Sequence, residues 1–398
     1  MDLRETSDLL ALVASVVDKY DDELVAFRRD LHQHPELSWG ERRTIDRVVE
    51  RLEGTGWRLH RAPRSGLVAD LGESGPLVAL RADLDALPVD DLTTDPWRST
   101  SEGVSHACGH DVHVSALVGA AHALAELHQQ GLLAGRVRLL FQPAEEVMPG
   151  GAKHLISHGA LEGVQRIFAL HCDPSVDVGA IGVRSGPITS AADRIDVRLE
   201  GNGGHTSRPH LTGDLTFALA KITSELPAVL SRRMDPRAGV SVVWGMLRAG
   251  SAPNVIPDHG IASGTVRILE AQAWASCEPV VREAVLDIVR PYGVTATVDY
   301  LQGVPPVVND GVSTAMVTTA ADELLGPLHR TEVEQSLGGE DFGWYLEDVP
   351  GSMFRLGTRT PGGARFDLHQ GDFEVDELAI GYGAKMLAGV AVVALAAG

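Results

Sequence analysis

Arg136-Val137-Arg138-Leu139-Leu140-Phe141-Gln142-Pro143-Ala144-Glu145-Glu146 is the stretch that decides the fold. An apolar run ends at a proline, and two adjacent carboxylates follow. The run predicts a strand over 136–142, because Pro143 has no N–H to give to a ladder. Leu77–Arg81 is a run of the same kind and leads into Ala82-Asp83-Leu84-Asp85. Arg166–Leu170 is a third, expected to stop at His171. Helical spacing follows Asp111 as far as about Gln129 and recurs over Ala152–His158. Strands alternating with helices predict an α/β domain, a mostly parallel sheet with helices on both faces. The reactive residue types then fall at strand ends or at a helix start. Ligand sites in open α/β sheets lie there, beyond the carboxyl ends of the strands.

Upstream, one helix is expected over about Leu9–His32, ending near Pro35. Ser38-Trp39-Gly40-Glu41 reads as a capping box that opens a second helix through Leu52. Around Ser185 the texture changes. Arg194–Glu200, Val240–Leu247, Gly260–Leu269 and Val294–Tyr300 read as strands, with helices over Asp214–Arg232 and Glu270–Arg290. That order is β-α-β-β-α-β, a ferredoxin-like α+β arrangement. It predicts a lid or dimerisation domain at 185–301, inserted into a metal-binding catalytic domain of 1–184 plus 302–398. The α/β texture returns with Gly338-Gly339-Glu340-Asp341-Phe342, strand-like Met353–Leu356 and a final helix from about Asp376. The Gly/Pro loop Thr360–Ala364 is expected to help place His369.

The chain has 398 residues, which accommodates two domains, and 44% hydrophobic residues suffice for large cores. A formal charge of −20 disfavours nucleic acid and anionic lipid as partners. The N-terminal residues lack the basic region and apolar core of a signal peptide, so a cytoplasmic location is expected. The most apolar run, Met386–Ala397, reads as a buried final helix too short to span a bilayer. Three cysteines, Cys108, Cys172 and Cys277, are too few for a disulfide framework and suit a reducing compartment.

Cys108, His110, Glu146, His171 and His369 are all of metal-binding type. Five ligands exceed one tetrahedral site and match two ions sharing a ligand or a water. Alone, each has an ordinary reading: a small buried hydrophobe for the cysteine, a structural imidazole for a histidine, a surface loop for the acidic pair. Their joint placement at strand ends favours ligation. The thiolate favours zinc, with manganese or cobalt as alternatives, and Cys108 has lone pairs enough to bridge. Gly109 lets Cys108 and His110 turn toward one centre. In extended backbone Glu145 and Glu146 point to opposite sides. One can bind metal while the other faces substrate, which makes Glu145 the candidate general base toward a metal-activated water. Asp83 and Asp85 suit carboxylates that hold ligating histidines, direct ligands or helix caps. In the inserted domain His205, within Gly203-Gly204-His205-Thr206, suits stabilisation of an oxyanion. Asn254 and Arg267 suit a substrate carboxylate.

These motifs resemble the amidohydrolases that include N-acyl-amino-acid hydrolases, hippurate hydrolases and indole-acetyl-amino-acid hydrolases, in the wider dinuclear group of aminoacylases and glutamate carboxypeptidases. The resemblance runs through Leu31-His32-Gln33-His34-Pro35-Glu36-Leu37, Arg81-Ala82-Asp83-Leu84-Asp85-Ala86-Leu87-Pro88, Cys108-Gly109-His110-Asp111 and Gln142-Pro143-Ala144-Glu145-Glu146. It continues through Gly203-Gly204-His205, Asn254-Val255-Ile256-Pro257, Gly339-Glu340-Asp341-Phe342 and Leu368-His369. It implies two divalent metals on Cys108, His110, Glu146, His171 and His369, with Glu145 as base. It implies that His205 and Asn254 act on the substrate, and that the chain forms a homodimer through the inserted domain. Departures are His369-Gln370-Gly371 where relatives often have His-Ser-Pro, Cys172-Asp173-Pro174 at a variable position, and Asn202 where a lysine is common. They bear on substrate choice.

The expected activity is hydrolysis of the amide of an N-acyl or aryl-acyl amino acid. A dipeptidase or aminoacyl carboxypeptidase is the alternative within the hydrolases, though no carboxylate aimed at a free α-amine can be identified. A non-catalytic metal- or amino-acid-binding protein is the alternative outside them.

Overall fold

The computed structural model describes residues 3–397. It forms two compact units. The first comprises the chain up to Ile188, Val308–Glu334 and the chain from Trp344; the second comprises Thr189–Val307 and Gln335–Gly343.

The first unit is built on an eight-stranded sheet. Its order is Arg58–Arg61, Leu67–Leu71, Arg136–Gln142, Leu77–Asp83, Arg166–Asp177, Gly351–Arg359, Ile181–Val183, Arg330–Glu332. The four middle strands, from Arg136–Gln142 to Gly351–Arg359, run parallel. The Leu67–Leu71 and Ile181–Val183 strands pair antiparallel to them. Leu77–Asp83 is buried at every position, as a continuous apolar run in a sheet covered on both faces requires. Helices His110–Gln129 and Leu378–Ala397 pack together in the core. The carboxyl ends of Leu77–Asp83 and Arg136–Gln142 lead directly into Asp85 and into Glu145-Glu146.

The second unit carries a four-stranded antiparallel sheet ordered Ser241–Ala249, His259–Ile268, Ala191–Gly201, Val294–Val304. Helices Leu215–Arg233 and Ala271–Val289 pack against it. Connection and order are those of a ferredoxin-like α+β unit. The expected boundaries differ from the observed ones at both ends, 185 against Thr189 and 301 against Val307. Residues 335–343, expected in the first unit, belong to the second. Gly338 O accepts from Ser190 N at 3.2 Å, and Gln335 Nε2 donates to Leu269 O at 3.0 Å.

Four local expectations are corrected. The first helix is two, Leu3–Lys19 and Asp21–Gln33. The break at Tyr20 is followed by Asp21, Asp22 and Glu23, acids that suit the positive end of a new helix. The capping box does not form. Glu36 caps helix Arg42–Leu52 instead, accepting from Arg43 N at 3.0 Å and Thr44 N at 2.8 Å, while Ser38 and Glu41 have other partners. The Arg166–Asp177 strand runs past His171, because its parallel register with Gly351–Arg359 continues to Asp177. Finally, helix Leu378–Ala397 is long and apolar enough to cross a membrane. It is nonetheless mostly buried, against His110–Gln129, Gly311–Leu324 and Leu3–Lys19.

Candidate metal centre

Gly109 sets the entry to the site. Its φ of +81° is left-handed backbone, and a Cβ there would lie 2.8 Å from Cys172 Sγ. Glycine therefore makes the turn that brings Cys108 and His110 together at the start of helix His110–Gln129. Ligand-capable atoms of Cys108, His110 and His171 lie within 4.8 Å of one another, as do those of Cys108, Glu146 and His369. Cys108 belongs to both groups. A third group joins Glu145 to His110 and Glu146.

Two imidazoles are held with one nitrogen turned inward. His110 Nδ1 lies 2.8 Å from Asp85 O, and His171 Nδ1 lies 2.7 Å from Cys172 O. A carbonyl only accepts, so each Nδ1 carries a proton and Nε2 is the nitrogen left to face the pocket. His110 Nε2 is buried and has no hydrogen-bond partner among the described residues. His171 Nε2 faces Cys108 Sγ at 3.6 Å. His369 has left-handed backbone, φ +64°, and its N–H donates to Ala107 O at 2.8 Å, which ties it to the Cys108 loop. Its Nε2 sits 3.3 Å from Glu146 Oε1.

The acidic pair is fixed from below by Asp85. Glu145 N and Glu146 N each donate to it at 3.0 Å, and the Ser38 hydroxyl donates at 2.7 Å. Asp85 therefore holds His110 through its carbonyl and the Glu145-Glu146 turn through its carboxylate. Asp83 receives Arg81 NH1 at 2.7 Å and His113 Nδ1 at 2.5 Å. His113 was not anticipated, although it lies three residues after His110 on the expected helix. Its Nε2 accepts from Cys172 N at 2.9 Å, so both of its nitrogens are engaged. It steadies the backbone next to His171 and is not itself a free ligand.

The electrostatics are those of a buried anionic pocket. Burial alone would depress His110, yet Asp83, the bond to Asp85 and Glu146 outweigh it and push its pKa up to about 10. Burial, then Glu146, Glu145 and Asp83, push the Cys108 thiol well above its ordinary value. Burial, with Arg355 and His113 adding, holds His171 well below its ordinary value and so neutral. Burial opposes ionisation of Asp83, but His110, Arg81 and His113 hold its carboxyl well below the usual range. Converging carboxylates, inward-facing imidazole nitrogens and a thiol fit divalent cations, whose charge favours the thiolate and neutral imidazole.

The remaining site candidates lie in the second unit. His205 sits in the short strand Gly204–His205, paired with Val255–Ile256. Its neighbour Thr206 N donates to Asn254 O at 3.2 Å, so His205 and Asn254 share one loop cluster. Arg267 stands on the His259–Ile268 strand opposite Ala192. It is half-buried, and burial lowers its pKa against the pull of Asp193.

The model of peptidase family M20/M25/M40 matches residues 79–392. The chain belongs to peptidase family M20/M25/M40. It is accordingly a metal-dependent hydrolase of amide bonds. Among its relatives, the N-acetyl-L-cysteine deacetylase of Bacillus subtilis (strain 168) is 38% identical over 90% of this chain and 85% of its own length. A protein of Rhodococcus jostii (strain RHA1) named as a glutamate–cysteine ligase 2-3 is 48% identical over 97% of this chain. This chain spans only 48% of that relative's length. The solved structure of Bacillus subtilis YXEP, described as a dinuclear metal binding peptidase of the M20 family, superposes with a TM-score of 0.82 at 33% identity. That match covers 95% of this chain and 99% of YXEP.

Proposed function

We propose that this chain hydrolyses the amide bond of N-acyl amino acids, releasing a carboxylic acid and the free amino acid. The observation that carries the reading is the pair of ligand groups that share Cys108, one completed by His110 and His171 and the other by Glu146 and His369. In this reading those five residues hold two divalent ions, zinc by preference because of the thiolate. When bound, such ions acidify water and polarise a carbonyl. Glu145 takes the proton of the attacking water on its carboxylate and passes it to the nitrogen of the leaving amine. Asp85 keeps Glu145 and Glu146 in a fixed relation, and Asp83, through His113, steadies the backbone beside His171. His205 is assigned to the developing oxyanion and Asn254 to substrate binding. Arg267 pairs with the substrate carboxylate.

The deacetylase relative makes N-acetylcysteine the first substrate to assay. The family's peptidase description favours a second reading, cleavage of dipeptides or C-terminal residues. Parallel assays of an N-acetyl amino acid and of the matching free dipeptide separate the two. The chain is proposed to work as a homodimer through the second unit, whose edge strand Ser241–Ala249 exposes Val243 and Leu247. Light scattering on the purified protein tests that directly, and a cytoplasmic location is proposed alongside it.

The central test is Glu145→Gln with metal analysis. Retained metal with turnover lost is the expected result. Near-normal turnover removes Glu145 from the base role. A wild-type protein that binds metal but hydrolyses no acylated amino acid or peptide returns the chain to the binding-protein alternative.

A further inference from the structure

The Glu145-Glu146 turn hangs on more than Asp85. The Arg136–Gln142 strand ends before Pro143, which offers no N–H, and Ala144 then adopts a left-handed φ of +54°. That conformation is uncommon for a residue bearing a Cβ and persists only where the surroundings enforce it. Both sides of Ala144 are held. Its carbonyl accepts from Gly151 N at 3.0 Å, and its N–H donates to Glu41 Oε1 at 2.8 Å. A Cβ on Gly151 would lie 1.8 Å from Pro143 O, so the chain closes tightly around this turn.

Glu41 comes from 103 residues upstream and is fully buried. Oε1 also accepts from Trp39 N at 2.8 Å, and Oε2 accepts from the Ser65 hydroxyl at 2.7 Å. One carboxyl thus joins the loop at Trp39, the loop at Ser65 and the turn at Ala144. Trp39 and Arg64, the neighbours on the first two loops, are also left-handed, both with φ +69°. The Arg64 guanidinium lies 3.8 Å over the Trp39 ring. Three consecutive amides, those of Ala144, Glu145 and Glu146, therefore point at two buried carboxyl groups, Glu41 and Asp85.

We infer that Glu41 is a positioning residue for the reaction, holding Ala144 in its left-handed conformation so that the Glu145 and Glu146 carboxylates are delivered together to the ligand cluster, each for its own task. This rests on the proposed roles of Glu145 and Glu146. Glu41 reaches the chemistry only through the backbone of the turn. What it supplies is hydrogen-bond acceptance at a fixed place, not charge. Glutamine can reproduce that by accepting both amides on its oxygen and donating its NH₂ to Ser65, whose hydroxyl both donates and accepts.

The test compares Glu41→Ala and Glu41→Gln with wild type in metal-saturated enzyme, using an N-acetyl amino acid. Each variant is first confirmed as folded by circular dichroism. Glu41→Ala should lose about 10- to 100-fold in kcat, the scale of a misplaced catalytic group, with KM little changed. Glu41→Gln should recover most of that loss. A purely structural residue would lower the melting temperature of Glu41→Ala and leave kcat of the folded enzyme intact, and that result overturns the proposal. So does a Glu41→Gln enzyme as slow as Glu41→Ala. Should Glu41→Ala fail to fold, Glu41→Asp serves instead. It keeps the charge, is one methylene too short to reach Ala144 N, and must also lose kcat. Glu145→Gln run beside them separates the two ideas. If it stays active, the base reading fails. If it is inactive while Glu41→Ala turns over normally, only the positioning role fails.

Discussion

Replacing Asp85 with asparagine tests how the site is held together. Asp85 is buried and accepts from Glu145 N, Glu146 N and Ser38 Oγ, with the two amides on different oxygens. Burial opposes its ionisation, but the bonds from His110, Ser38 and Glu146 N hold its carboxyl below the usual range. It is therefore an anion at neutral pH. Asparagine is nearly the same size but keeps one oxygen. Whichever way the amide is turned, one of the two backbone N–H groups faces an NH₂. Ser38 can rotate to accept, whereas a backbone amide cannot. The variant thus loses a charge-assisted hydrogen bond and leaves a buried donor unpaired, together about 2–4 kcal/mol. A turn displaced by about 1 Å should also lower kcat about 100-fold. Urea unfolding of chelated protein isolates the first effect from metal binding, and kcat of metal-saturated enzyme reads the second. An Asp85→Asn protein with the midpoint and the kcat of the wild type would refute the reasoning, since it would show that the two amides need no anion beneath them.

Cys108→Ala removes the one atom common to both ligand groups, and metal content measured on purified protein should fall below that of wild type. Burial holds His122 below its ordinary value of 6.5, against the pull of Glu23. The unfolded chain then takes up the proton first, so stability falls as pH drops below about 6.5 toward the depressed folded value. His122→Phe, which keeps a ring against Tyr20, should shrink the fall in urea midpoint between neutral and mildly acidic buffer. In the second unit Asp193 accepts from Trp274 Nε1 at 2.9 Å, Tyr300 OH at 2.6 Å and Gly303 N at 2.8 Å. Asp193→Ala removes the shared acceptor of these three donors and should cost about 3 kcal/mol, read as a lower unfolding midpoint with quenching changes at Trp274.

The sheet was legible where its strands are buried on both faces. Leu77–Asp83 and Arg136–Gln142 are near-continuous apolar runs; the second appears where the pattern puts it, and the first runs two residues past the expected Arg81. The Arg166–Asp177 strand was harder to end, because its last residues are held by register with Gly351–Arg359, far off in sequence. Caps failed for a related reason. Ser38 and Glu41 have the spacing of a capping box, but stronger claims on them come from Asp85 and from Ala144 N. A local pattern cannot reveal that a distant amide lacks an acceptor.

The site divides in the same way. Its ligand-type residues were visible because few other needs put a thiol, three imidazoles and a carboxylate near predicted strand ends and a helix start. Of the groups that aim them, Asp83 and Asp85 were visible as carboxylates suited to hold histidines, whereas His113 and Glu41 were not, because their bonds go to backbone far off in sequence. Asp85, His113 and Glu41 accept backbone amides, and His113 has neither nitrogen to spare. His110 and His171 donate their Nδ1 protons to backbone carbonyls and turn Nε2 toward the ligand cluster. An interior normally pairs its polar atoms. Here His110 Nε2 and Glu146 Oε1, both in the ligand cluster, lack a hydrogen-bond partner among the described residues. A residue type can suggest a ligand; His110 is proposed as one, and His113, a single turn further along the same helix, as its support, because two bonds occupy both His113 nitrogens.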